Sequence, residues 1–151
     1  MTDTALGRHA LSIKSVVVPR SVRLRDEPAR THIDVIVRNG GDRDEVIEDA
    51  AMLDAFVSLD AASLGGAAAP TVARAGRTTF PVVVKAGRSA RFAYDVTAAA
   101  ANDPARGAGH EDFRLTATVT PAALDRFVRS ELLPPVEEPV RAEALLDVFV
   151  K

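Results

Sequence analysis

The chain has no cysteine and no tryptophan, and only one tyrosine and six phenylalanines among its 151 residues. Without cysteine there is no disulfide, no thiolate metal site and no thiol nucleophile. Aromatics make up 5%, so a sugar platform of stacked rings would have to draw on Tyr94 and the phenylalanines alone. The core must be Val, Ile, Leu and Ala, with Phe56, Phe80, Phe92, Phe113, Phe127 and Phe149 as its large pieces. Charge of one sign is also missing: 19 Lys and Arg stand against 21 Asp and Glu, for a formal net charge of −2. With no basic patch in view, a grip on nucleic acid is not expected. No apolar run approaches the ~20 residues that span a bilayer. The opening M-T-D-T-A-L-G-R-H-A-L lacks the basic and apolar regions of a signal peptide. The expectation is a chain that stays inside the cell or leaves as part of a larger assembly.

What is present is alternation. In Thr31–Asn39, T-H-I-D-V-I-V-R-N, Ile33, Val35 and Val37 point one way, and His32, Asp34, Ile36 and Arg38 the other. This period of two, rich in β-branched residues, marks a strand with one face in a core. Asn39-Gly40-Gly41 ends it with residues that tolerate positive φ. Ser89–Thr97 repeats the pattern, with Ala90, Phe92, Tyr94 and Val96 inward. His110–Thr120 does so with Phe113, Leu115, Ala117 and Val119 inward.

Weaker strands complete the set. They are expected at Leu11–Val18, around Val22 and Leu24, at Met52–Leu59, Thr71–Ala75 and Thr79–Val84, and at Val140–Lys151. The composition A-A-M-L-D-A-F of Ala50–Phe56 also suits a helix. The alternation of Ala51, Leu53, Ala55, Val57 and Leu59 decides for a strand, with a helical turn admissible at Val46–Ala50. Asp60–Pro70 reads as a loop, Lys85–Arg88 as a tight turn, and Pro81 puts its strand at an edge. Thr120-Pro121 opens a short helix over Pro121–Leu133, because Thr caps well and Pro fits the first helical position. No βαβ rhythm is seen. The fold expected is all-β: an immunoglobulin-like (Ig-like) antiparallel β-sandwich with Greek-key connections, seven to eight strands, and one short helix near the C-terminus. One domain covers residues 9–151, and residues 1–8 form a flexible tail.

Two motifs point to a family. The run V-x-V-x-N-G-G (Val35, Val37, Asn39, Gly40, Gly41) and the run A-G-R-S-A-R-F (Ala86–Phe92) are followed by D-F-R-L-T-A-T-V (Asp112–Val119). Together these resemble bacterial fibronectin-III-like domains of the CARDB type, over roughly Leu11–Val150. In place of the family's short Asn-rich link before the last strand stands the helix-like Pro121–Leu133 and a Pro/Glu segment. The resemblance implies a spacer, adhesion or binding module attached to a larger protein, and brings no catalytic residues.

Residues that might carry chemistry are scattered. His32 and His110 begin two strands and can meet at one end of a sandwich near Asp34 or Asp112, while His9 lies next to the tail, ahead of the first strand. A zinc site wants three or four close ligands, so ordinary surface histidines are the simpler reading. Asp42, Asp44, Glu45, Glu48 and Asp49 are oxygen ligands of the kind calcium prefers, but their spacing lacks the EF-hand signature. No serine sits in a G-x-S-x-G elbow. No cofactor is expected, and no enzyme.

The expected role is therefore a non-catalytic structural or protein-interaction module, acting through strand edges and end loops. The alternative is a small-ligand or carbohydrate-binding module, with or without the assistance of calcium. The last strand carries the interaction residues proposed from sequence: Leu145, Leu146, Val148, Phe149 and Val150. Both of its faces are apolar there, and it follows a Pro-rich link. Such a strand closes its own sandwich, or else reaches a partner or a second copy of the chain.

Overall fold

The computed structural model describes residues 10–19, 22–24, 29–64, 70–98, 109–125 and 139–150. Ten strands are formed: β1 (Leu11–Val17), β2 (Val22–Leu24), β3 (Ala29–Asn39), β4 (Glu45–Ile47), β5 (Val57–Ser63), β6 (Thr71–Arg74), β7 (Val82–Val84), β8 (Ser89–Ala98), β9 (Gly109–Val119) and β10 (Val140–Val150). One four-stranded sheet runs β1-β3-β8-β6 and the other β2-β10-β9-β5, with β4 and β7 paired apart from both. These orders correspond to the A-B-E-D and C-F-G sheets of an Ig-like sandwich. The pairing is antiparallel except between β2 and β10, which run parallel. The chain leaves the first sheet after β1 and continues into the second, so β2 aligns with β10.

The three clean alternations build the core. Ile33, Val35 and Val37 are fully buried, as are Phe113, Leu115, Ala117 and Val119 on the opposing sheet. In register, Ile33 faces Tyr94, Val35 faces Phe92 and Val37 faces Ala90. Phe56 and Phe92 meet edge to face with ring centroids 6.2 Å apart. Each side chain removed fully from water in this way contributes about 1.5–3 kcal/mol.

The strand expected at Met52–Leu59 is replaced by a helix, α1 (Ala50–Phe56), followed directly by β5. Asp49 is the N-cap: its Oδ1 accepts from Met52 N at 2.8 Å. The buried residues are Met52, Leu53 and Phe56, a helical spacing, whereas Ala51 and Ala55 of the apparent alternation are exposed. Two rhythms abut at Phe56–Val57, and the aspartate cap decides where the first begins. Asp60–Ser63, expected as loop, prolongs β5, and Glu45–Ile47 forms β4 where a helical turn was admissible. With β4 formed and the short β2 ordered, the strands among the described residues number ten, against the seven to eight expected. The expected C-terminal helix is a 3-10 helix over Pro121–Asp125; the rest of Pro121–Leu133 lies outside the described residues, as do the tail and most of the Pro-rich link.

Asn39-Gly40-Gly41 works differently from the expectation. Neither glycine has positive φ; Gly76 and Gly87 do. The constraint at this corner is close approach and a buried amide. A Cβ on Gly41 would lie 3.3 Å from Oδ1 of Asn39. Asn39 is fully buried, and its Nδ2 donates to the carbonyls of Arg43 and Val84 at 2.8 and 3.0 Å. Its Oδ1 accepts from Gly41 N at 3.0 Å. The Lys85–Arg88 turn is closed by Arg88 N donating to Lys85 O at 2.9 Å. Gly87, with φ +73°, occupies the position of that turn where a side chain is strained.

Candidate interaction surface

The second sheet presents an outer face built from alternate residues of β5, β9 and β10. Ala62 lies opposite Arg114 and Arg114 opposite Leu145, forming one row across three strands. Leu64 N donates to Asp112 O at 3.0 Å, which holds Leu64 one step beyond the end of β5. Leu64 and Leu145 are 48% and 57% exposed, well above the usual range for leucine in a folded core. Between them is a shallow groove of about 530 Å³, lined by Leu64, Arg114, Glu143, Ala144 and Leu145. Arg114 Nε lies 3.8 Å from Glu143 Oε1, and both side chains are half or more exposed. The groove is thus apolar at two corners, with a loose ion pair at its centre.

The interaction residues proposed from sequence divide. Leu145 is on this outer face. Leu146 and Val148 belong to the core, 1% and 0% exposed, and cannot meet a partner while the sandwich is closed. Phe149 and Val150 pair through their backbones with His110 and Gly109 on one side and with Arg23 and Leu24 on the other; their side chains are outside the description. With β9 and β2 on its two flanks, β10 closes its own chain's sandwich. Leu64 was missed because Asp60–Pro70 read as loop. The continued alternation Leu59, Ala61, Ser63 against Asp60, Ala62, Leu64 is the signal that locates it.

Among the described residues, the edge strands of the two main sheets are β1 and β6, and β2 and β5. β1 is interrupted by a register shift between Ile13 and Ser15, and the lysine there, Lys14, is exposed. A bulge with a lysine blunts an edge against further pairing. β2 and β6 are three and four residues long. β5, seven residues with Asp60 as its one charge, is the edge with most main chain to offer.

The other candidate sites take structural roles. Asp49 caps α1, and Asp44 Oδ1 accepts from Ala86 N at 2.8 Å. Glu45 is buried, with Oε2 4.0 Å from Arg43 Nε. Among the described residues no three His, Cys, Asp or Glu side chains are grouped to hold a metal ion. His32 has Nε2 2.9 Å from Asp34 Oδ1 and Nδ1 3.7 Å from Asp95 Oδ1. It lies in the first sheet while the backbone of His110 is in the second, and the side chains of His9 and His110 fall outside the description. Tyr94, the ring considered for sugar, is buried at 6% exposure. Burial pushes its hydroxyl pKa up to about 12, with Asp54 and Asp60 adding to the rise and Arg74 opposing it. No helix among the described residues is long and apolar enough to cross a membrane.

No protein-family model matches the chain, and neither does any curated protein. Solved structures with a similar fold include a FixG-related protein from Vibrio parahaemolyticus, at 14% identity and TM-score 0.45, covering 91% of this chain and 94% of that one. A fragment of alpha-2-macroglobulin from Escherichia coli is 13% identical with TM-score 0.44; the match covers 95% of this chain and 17% of that one. WR4, an MSP family member from C. elegans, is 9% identical with TM-score 0.38, covering 93% and 99% of the two chains. At these identities and scores no argument about this chain follows from them.

Proposed function

We propose that this chain is a non-catalytic structural or protein-interaction module, whose partner docks on the outer face and open edge of the second sheet. The observation that carries the reading is the pair of exposed leucines, Leu64 and Leu145, at the two ends of one groove beside β5, the last strand of its sheet among the described residues. An extended partner segment can add main-chain hydrogen bonds along β5. Small Ala62 lets its side chains pass over toward Arg114 and Leu145. The Arg114–Glu143 pair then supplies polar contacts of the kind found at an interface rim. The role needs no catalytic step and no cofactor.

Within the Ig-like class, the CARDB type is the nearest reading. It is supported by the two motifs that suggested it, which bond to one another: Asn39 N donates to Arg88 O at 2.9 Å, and Gly87 N to Asn39 O at 2.8 Å. Membership in a larger assembly follows as part of this proposal.

The test is site-specific photo-crosslinking in the native host. A photoreactive residue at Leu64 or Leu145 is expected to give the same discrete adduct from both positions. The same probe at Ser12 or Arg38, on the first sheet, is expected to give none. Adducts from all four positions alike, or from neither leucine, would overturn the proposal.

A further inference from the structure

A second concavity lies where the first sheet loses its edge strand. β6 pairs with β8 from Thr71–Thr97 down to Arg74–Tyr94, and Ala75 N still donates to Ala93 O at 2.9 Å. The chain then turns away at Gly76, φ +70°, and crosses to β7. In an antiparallel ladder the main-chain groups of alternate residues face the same neighbour. Those of Arg91 therefore face the space that β6 has vacated. The gap measures about 170 Å³ and is lined by Leu53, Val82 and Phe92 as its apolar part, and by Arg74, Arg77, Thr78 and Arg91 as its polar part.

The three arginines come from separate segments and are unequally committed. Arg74 is held by Asp54. Arg91 has Nη1 3.4 Å from Asp34 Oδ2, and its side chain is 69% exposed. Arg77 has no carboxylate partner among the described residues and is exposed. Three guanidiniums against two carboxylates leave one positive charge beside an apolar floor. Taking ~30 Å³ per water, the gap holds about five or six waters, room for a carboxylate with a short branched chain and little more.

We propose that this cleft binds a monoanionic carboxylate carrying a short branched aliphatic group. The carboxylate sits on Arg77 and Arg91, where planar guanidinium forks match its two oxygens, with the Arg91 main-chain N–H and the Thr78 hydroxyl as further donors. The aliphatic group lies against Val82 and the small exposed edge of Phe92, above Leu53, which the fold already covers. The same chemistry is found in a small organic acid and at the carboxyl terminus of a peptide ending in leucine. The site is separate from the outer face of the second sheet, and its failure would leave that reading untouched.

The experiment is a titration of isotope-labelled protein followed by magnetic resonance at the Leu53 and Val82 methyls. The probes are 4-methylpentanoate and its amide, and Gly-Gly-Leu with free and amidated carboxyl terminus. Saturable shifts are expected with the free acids and not with the amides. Arg77→Gln should weaken binding by about tenfold or more, the scale of one charge-assisted pair, with Arg88→Gln as the silent control. Saturation by the organic acid alone assigns a small-molecule site; tighter binding of the peptide assigns a peptide terminus. Amides that bind as well as acids, an Arg77→Gln variant of unchanged affinity, or no saturation with any probe at tens of millimolar would overturn the proposal.

Discussion

The two outer faces of the sandwich are built from the same strand rhythm and finished in opposite ways. On the first sheet the charges are spent on each other. Arg30 and His32 approach Asp95, and His32 and Arg91 approach Asp34, at 2.9 to 3.8 Å. Asp34 is 7% exposed although it points away from the core. On the second sheet the pair at the groove, Arg114 and Glu143, is loose at 3.8 Å, and Leu64 and Leu145 stand in water. Outside the cleft at its β6 edge, a face whose charges are paired in this way has little to gain from a protein partner. A face with exposed apolar corners gains whatever area a partner covers, at roughly 25 cal/mol per Å². The docking surface proposed above rests on that contrast more than on the shape of the fold.

The largest effect should come from beneath both faces. Phe56→Ala is expected to cost about 3–5 kcal/mol, read by denaturant unfolding, and both faces should fail in one transition. Two separate transitions would mean that the sheets are independently stable. Asn39→Ala, at the end of β3, leaves the carbonyls of Arg43 and Val84 and the Gly41 N–H without a side-chain partner, at a cost of about 2–3 kcal/mol. A smaller loss would show that water replaces the amide and that the corner is looser than its full burial implies.

Tyr94 supplies a probe of the interior between the faces. It is the only tyrosine, and tryptophan is absent, so phenolate absorbance reports it alone. Its folded pKa, about 12, lies above the ordinary 10.0. The folded state therefore holds the proton longer. The part of stability linked to this proton is full below pH 10 and is lost as pH rises from 10 toward 12. A native-state midpoint near 10 would mean that water reaches the hydroxyl.

The faces themselves should respond least and differently. Asp34→Ala removes the shared partner of His32 and Arg91 and should cost about 1 kcal/mol, less at high salt. Leu145→Ser should change stability by no more than about 0.5 kcal/mol while removing the crosslink at the Leu64 probe. A Leu145→Ser loss as large as that of Asp34→Ala would erase the distinction between a face built for the fold and one built for a partner.

Three strands could be read from the chain alone because each buries one face far more than the other, and a period of two then has a single consistent assignment. The core residues Ile33, Val35, Val37, Phe92, Phe113 and Leu115 follow from that periodicity, as does the tight turn at Gly87. The Ala50–Leu59 segment did not yield to the same method, since helical and strand periods overlap there and an N-cap at Asp49 tipped the balance. Local pattern also said that Leu145–Val150 is apolar on both sides. It could not say which residues a neighbour covers, since that depends on β9 and β2, distant in sequence, flanking β10 and taking Leu146 and Val148 inside. The groove between Leu64 and Leu145 and the cleft of Arg74, Arg77 and Arg91 exist only through such long-range pairings. Strand periodicity is a property of neighbours along the chain; a surface is a property of neighbours in space, and only the closing of the two sheets decided which residues those are.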